Sequence, residues 1–428
     1  MNTKDLISAL KADNYKDLLL DIYEDESVLE YQKSRYISAI ERFESIYGET
    51  DVCIFSAPGR SEIGGNHTDH QHGHVLAASI NLDAIAVVTY SKDENVSIVS
   101  DDRDMIIVST DNLEYSESER ETTLSLIKGV LKGAVDRKYS IGGFKAFITS
   151  DVLIGAGLSS SAAFEALIGT VVSHLFNDGK IDAPTVAIIG QYAENVYFGK
   201  PCGLMDQMAC SLGNMAHIDF ANPAKPWFET VKFDMNKYGY SLCITDTKGS
   251  HADLTSEYAA MPIEMKRVAA CFGKEVLLGL TAGDILSRID EIREKCGDRA
   301  VLRALHFIYE NERVVKEVNA LKNDEIDLFM ELVQQSGDSS YKYLQNVYTT
   351  QDITTQNLSL ALAFSQTVLD KKGGVSRVHG GGLAGTIQAF VKNEKVQEYM
   401  GVMNTVFGEG ACKVLKIRKY GGIKVIGL

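Results

Sequence analysis

Gly155-Ala156-Gly157-Leu158-Ser159-Ser160-Ser161-Ala162-Ala163 sets two glycines and three serines between the apolar run FKAFITSDVLI and a helical pattern. Free backbone N–H groups, hydroxyls and the positive end of a helix dipole would together suit a phosphate group. On its own the stretch reads equally as a loop closed by a serine N-cap. It has no lysine of the G-x-x-x-x-G-K-[ST] kind. Neutralising a polyanion there would fall to N–H groups, hydroxyls and Mg²⁺.

Three further segments carry chemistry. In KPCGLMDQMACSLG, Asp206 lies between Met205 and Met208, and Glu194 precedes it by twelve residues. A carboxylate in apolar surroundings costs free energy unless it is paired, so Asp206 is either a helix cap or a functional acid. Glu194 alone reads as a solvated helix residue. APGRSEIGGNHTDHQHGHVL crowds Arg60, Glu62, His67, Asp69, His70, His72 and His74 after a Pro-Gly turn. Such a density of hydrogen-bonding side chains suits a polyhydroxylated ligand. His67, Asp69 and His70 are also metal-ligand types, although no second cluster completes a recognisable spacing. Finally, RVHGGGLAGTIQAFV places Gly380, Gly381, Gly382 and Gly385 before a strand, where backbone can approach a ligand or simply turn.

The elements that must position these residues follow from hydrophobic periodicity. Residues 1–50 predict two amphipathic helices. From Val52 to Ser150, short β-rich runs predict a mixed sheet. Two helices follow between Leu158 and Gly199, separated by NDGKID. AHIDF and YSLCITDTK read as strands, helices run from about Glu257 to Leu344, and the remainder is Gly-rich turn and strand. The domain boundary is placed near residues 215–240, giving an N-terminal domain over 1–220 and a C-terminal domain over 221–428.

At 428 residues, 45% hydrophobic and 24% charged, the chain has the composition of an ordinary two-domain globular protein. A net charge of −15 argues against nucleic acid or an anionic membrane as partner. The seven cysteines at 53, 202, 210, 243, 271, 296 and 412 have no zinc-like spacing and read as thiols of a reducing compartment. No basic stretch leads into an apolar one at the N-terminus, and no run of 18 apolar residues occurs. The chain is therefore read as cytoplasmic, without signal peptide or membrane span.

Taken in chain order, the four segments resemble the motifs of the GHMP small-molecule kinases, and among them the galactokinases. The form G-R-x-N-L-I-G-E-H-x-D-Y is matched by Gly59 to His70, G-x-G-L-S-S-S-A by Gly155 to Ala162, C-G-I-M-D-Q by Cys202 to Gln207, and G-x-G-F-G-G by Gly380 to Gly385. The resemblance runs from about Phe55 to Val391. It implies an α+β fold of two domains with the active site in the cleft between them. It also implies transfer of the ATP γ-phosphate to the C1 hydroxyl of galactose. By position, Asp206 would accept the hydroxyl proton and Arg60 would stabilise that carboxylate and the transferring charge. Gly155, Gly157, Leu158, Ser159, Ser160 and Ser161 would wrap the phosphates. Ser160 or Ser161, with Glu194, would hold Mg²⁺. Asn66, His67, Asp69, Gly203, Tyr258 and Gly380 would line the sugar.

The first motif departs most from the family. Asn66 stands where galactokinases carry a glutamate that receives a hydrogen bond from the sugar, which moves the question of specificity to C6. If that argument holds, Asn66→Glu raises the preference for galactose. The alternatives are the same chemistry on galacturonate, N-acetylgalactosamine or a pentose, with D-H-Q resembling galacturonate kinases. A non-catalytic sugar and ATP sensor is the minor one, since Arg60, the serine triplet, Glu194 and Asp206 are all present. His379 replaces the usual threonine before the third glycine motif and is placed near the site.

Overall fold

The computed structural model describes residues 1–101, 103–152, 157–249 and 254–427. Two sheets organise them. The first has eight strands: β1 (Cys53–Gly64), β2 (His74–Tyr90), β3 (Asn95–Ser100), β4 (Ile106–Ser109), β5 (Phe144–Ser150), β6 (Met215–Asp219), β7 (Trp227–Val231) and β12 (Ile423–Ile426). Its main order is β12-β1-β2-β5-β3-β4, with β6 joining β2 to β7. All pairs are antiparallel except β3 with β5, so the sheet is mixed. The second is antiparallel: β8 (Tyr240–Asp246), β9 (Gly374–His379), β10 (Thr386–Lys392) and β11 (Cys412–Leu415), in the order β11-β8-β10-β9.

The two-residue period of the strands decides which layers form. In the first sheet Ile54, Ile85, Val87 and Phe147 share a face with Leu6, Tyr36, Ile40 and Phe43 of the N-terminal helices. Their neighbours Phe55, Ala57, Ala86, Val88 and Ile148 face the opposite way, onto Ile127, Leu131, Leu167, Val171 and Ile189. Those last residues belong to the helices Thr123–Asp136, Ser160–Phe176 and Ala183–Tyr192. The sheet is thus a middle layer, and residues 1–50 cover its outer face. In the second sheet Phe390, Leu242, Ile244 and Leu415 join the same main core, where Phe390 meets Phe329 edge-on at 5.5 Å.

The N-terminal pattern folds as three helices, Thr3–Lys11, Lys16–Tyr23 and Leu29–Tyr47, rather than two. Asp13 takes a left-handed conformation at φ 61 and ends the first, a break that periodicity alone does not reveal. A buried polar knot ties this layer to the sheet. Arg35 Nη1 donates to Asp83 Oδ1 at 2.7 Å, Arg418 Nη1 to Oδ2 at 2.8 Å, and the Tyr23 hydroxyl to Oδ2 at 2.9 Å. Tyr23→Phe removes one donor to a buried carboxylate and is expected to lower unfolding free energy by about 1.5–3 kcal/mol. Urea denaturation measures it, with turnover unchanged; a variant as stable as the parent would mean that this hydroxyl holds nothing together.

Among the described residues no helix is long and apolar enough to cross a membrane. None of the seven cysteines, all of them among the described residues, is in a disulfide.

Candidate active site

β1 delivers Arg60 to the point where the serine stretch begins. The Arg60 N–H donates to Leu158 O at 3.2 Å. Gly59 is required beside it, because a Cβ there would lie 2.8 Å from that same carbonyl. The guanidinium then reaches across to the helix Met205–Leu212. Nε donates to Asp206 Oδ1 at 2.7 Å, and Nη1 donates to Gly157 O.

The second Asp206 oxygen accepts from Ser159 Oγ at 2.5 Å. Ser159 sits at the N-cap position of Ser160–Phe176 with φ 59, and its hydroxyl makes no capping bond. The serine therefore serves the carboxylate and not the helix end. Burial pushes the Asp206 carboxyl toward neutrality, but the charge and hydrogen bond of Arg60, with the Ser159 bond, hold it below the usual range. Its side chain keeps 31% exposure, so the ionised carboxylate faces open space.

A second pair lies beside the first. Ser161 Oγ donates to Glu194 Oε1 at 3.0 Å. Glu194 belongs to the π-helical turn Ala193–Phe198, a widening that often marks functional sites. Gln207 Nε2 donates to Glu194 Oε2 at 2.8 Å and to Glu165 Oε2 at 3.0 Å, bridging two buried carboxyl groups. Burial, with Glu194 beside it, pushes the Glu165 carboxyl well above its ordinary range. Ser161 and Glu194 offer adjacent hard oxygen donors. Ser160 opens the helix. Gly155 and Ala156 lie outside the described residues.

The motif Gly59–His70 meets the glycine loop Gly380–Gly385. His67 Nε2 lies 3.1 Å from Gly381 O. Burial, with His70 stacked beside it, pushes the His67 imidazole down to about 3, so the ring is neutral and Nε2 donates. Asp69 presses on Gly203: the carboxylate occupies the space a Cβ would need. The Tyr258 hydroxyl donates to Gly382 O, and its ring covers Gly381. Asn66 is fully buried; Nδ2 donates to Gly380 O at 2.7 Å and Glu62 Oε1 at 3.0 Å, while Oδ1 accepts from Asn346 at 2.8 Å and Ser340 at 3.2 Å.

His379 lies beneath this junction. Glu62 N–H donates to its Nε2 at 3.2 Å, so Nδ1 carries the proton and donates to Thr386 Oγ1 at 3.0 Å. Arg377 Nη2 pairs with Glu62 Oε1 at 2.5 Å. Among the described residues no group of three or more His, Cys, Asp or Glu could hold a metal ion.

Sequence reasoning thus names Arg60, Ser159, Ser161, Glu194 and Asp206, which converge. It misses Glu165, Lys200, Gln207, Asn346 and Arg377. Gln207 and Lys200 had a local signal, since both flank Asp206 within the same Gly-Pro-containing segment.

The galactokinase galactose-binding signature matches residues 41–90, and the N-terminal domain of the GHMP kinases matches residues 125–214. The fold is that of the GHMP kinases, a class that uses ATP as phosphoryl donor. A galactokinase of Actinobacillus pleuropneumoniae serotype 3 is 30% identical over 84% of this chain and 90% of its own length. One of Clostridium tetani is 28% identical over 83% and 88%. The crystal structure of Lactococcus lactis galactokinase complexed with galactose superposes with a TM-score of 0.77 at 25% identity, covering 90% of this chain and 98% of the other. The chain belongs to the galactokinase family, and with it to the phosphotransferases that act on a sugar hydroxyl.

Proposed function

We propose that the protein transfers the γ-phosphate of ATP to the anomeric C1 hydroxyl of galactose. The observation that carries this reading is the Arg60–Asp206–Ser159 cluster at the mouth of the serine helix. Asp206 accepts the C1 hydroxyl proton as the oxygen attacks phosphorus. In the loose transition state of phosphoryl transfer little proton movement has to precede bond making, so a weakly basic carboxylate suffices. Arg60, always charged, orients that carboxylate and offsets the negative charge that develops beside it.

Gly157, Leu158, Ser159, Ser160 and Ser161 receive the phosphates at the helix N-terminus. Ser161 and Glu194 fit Mg²⁺, which favours one or two carboxylates together with substrate phosphates over an all-protein cage. When bound, Mg²⁺ supplies charge neutralisation across the phosphates. His67, Asp69, Gly203, Tyr258 and Gly380 line the sugar, with Asn66 beneath them. Low net charge is not required, because the cations are local.

The test is a panel of galactose, galacturonate, N-acetylgalactosamine and arabinose, assayed by ADP release with the product's phosphorylated carbon read by ³¹P NMR. The expected result is the highest kcat/KM on galactose, with phosphate on C1. A higher kcat/KM on galacturonate transfers the assignment to the uronate, and absence of turnover on every sugar overturns the kinase reading.

A further inference from the structure

We infer that Lys200 is a further phosphate-binding residue of this kinase, supplying from the segment before Asp206 the cation that the serine loop lacks. The inference rests on the kinase reading above. A nucleoside triphosphate brings a high negative charge to a site that already holds the Glu194 and Asp206 carboxylates. Arg60 is turned toward Asp206 and Gly157 O. Lys200 is the second cation at this site, and it comes from neither of the glycine-rich motifs.

Its position is fixed at the base and open at the tip. The N–H groups of Gly199 and Lys200 both donate to Glu194 O, at 2.9 and 3.1 Å, and Arg120 Nη2 donates to Gly199 O at 2.9 Å. Two residues on, Cys202 N–H is held by Asn195 Oδ1 at 2.7 Å. The backbone that carries Lys200 is therefore tied to the π-helical turn on one side and leads directly to the Asp206 helix on the other. The side chain is 63% exposed, whereas that of Glu194 is 3% exposed.

The tip lies against Glu194. Nζ donates to Glu194 Oε1 at 3.2 Å, and that contact is its one side-chain hydrogen bond among the described residues. An ammonium has three N–H donors, so two directions remain for further acceptors. Glu194 does not depend on the lysine for its hydrogen bonds, because Ser161 and Gln207 already serve its two oxygens from the buried side. Lys200 is the outermost, solvent-side partner, on the face a phosphate would approach. Asp206 is a further carboxylate whose charge acts on the ammonium, and it lies on the helix to which the Lys200 backbone leads.

The experiment compares the full-length protein with Lys200→Met and Lys200→Arg, titrating Mg·ATP and Mg·ADP by calorimetry without sugar, and then measuring kcat and KM with galactose. Lys200→Met is expected to weaken Mg·ATP by about tenfold while changing Mg·ADP far less, and to lower kcat; Lys200→Arg recovers most of the ATP affinity. Equal losses for the two nucleotides, or no loss, would overturn the assignment. So would a rise in the Mg²⁺ concentration needed for half-maximal activity with ATP affinity intact, since the lysine would then be a counterion of Glu194 alone. A parent protein that binds Mg·ATP but phosphorylates no sugar fails the kinase reading separately, and the ATP-to-ADP comparison still decides Lys200.

Discussion

Asp206→Asn is expected to lower kcat by about three orders of magnitude, at the upper part of what a positioned general base contributes. The amide keeps the shape of the carboxylate and can still accept from Arg60 Nε, now at 2.7 Å from Oδ1. It cannot take a proton from the sugar hydroxyl. KM for sugar and ATP should change little, because the pockets on either side are untouched, so kcat and kcat/KM fall together. The substitution also leaves the Arg60 guanidinium without its countercharge. Asp206 is about a third exposed, so the loss of stability is expected near 1–2 kcal/mol, well short of a fully buried pair. An Asp206→Asn enzyme that retained a tenth or more of the parent turnover would remove Asp206 from the role of base. Because Arg60 and Ser159 outweigh burial and hold the carboxyl below its ordinary 3.8, protonation of Asp206 costs activity only below that pH. Any loss of turnover between pH 5 and 7 belongs to another group.

The residues of the candidate site were legible because turns and helix starts restrict residue type locally. Gly59, the serine triplet and the Cys202–Gln207 segment each announce a backbone constraint within a few positions. The sheets were legible for the same kind of reason, since a two-residue period is a local signal. What periodicity cannot supply is the partner. The N-terminal helices show an apolar stripe, but only the fold reveals that it covers Ile54, Ile85 and Val87. Arg377 reads as a polar residue in a strand, yet it is fully buried on Glu62, more than three hundred positions away. Lys200 and Gln207 were within view in the sequence, but their meaning depends on Glu194 and Glu165, the first brought to them by a π-helical turn that leaves no periodic trace and the second by the serine helix.

Asn66 is where the sequence and the structure point to different experiments, and Asn66→Glu decides between them. Read as a sequence, the amide replaces a carboxylate that would face the sugar, so restoring the acid should favour galactose. In the fold, the side chain is fully buried and its four hydrogen-bonding positions are filled by Glu62, Gly380, Ser340 and Asn346. An ionised glutamate has no donor for Gly380 O and sets a second carboxylate against Glu62. Burial already pushes the Glu62 carboxyl up despite the adjacent Arg377, so no spare cation is at hand. The extra methylene must also fit between motifs that are in contact. Asn66→Glu is therefore expected to destabilise the fold by about 3–5 kcal/mol, as for an uncompensated buried charge. Its kcat/KM should fall on galactose and galacturonate alike, without a change in their ratio. Asn346→Ala strikes the same node without adding charge and should cost about 1–3 kcal/mol. Urea denaturation of both variants, with the sugar ratio measured in parallel, separates the two readings. A stable Asn66→Glu protein with a shifted ratio would place this residue against the sugar; a destabilised one with an unchanged ratio makes it the pin that holds the sugar motif to the third glycine loop.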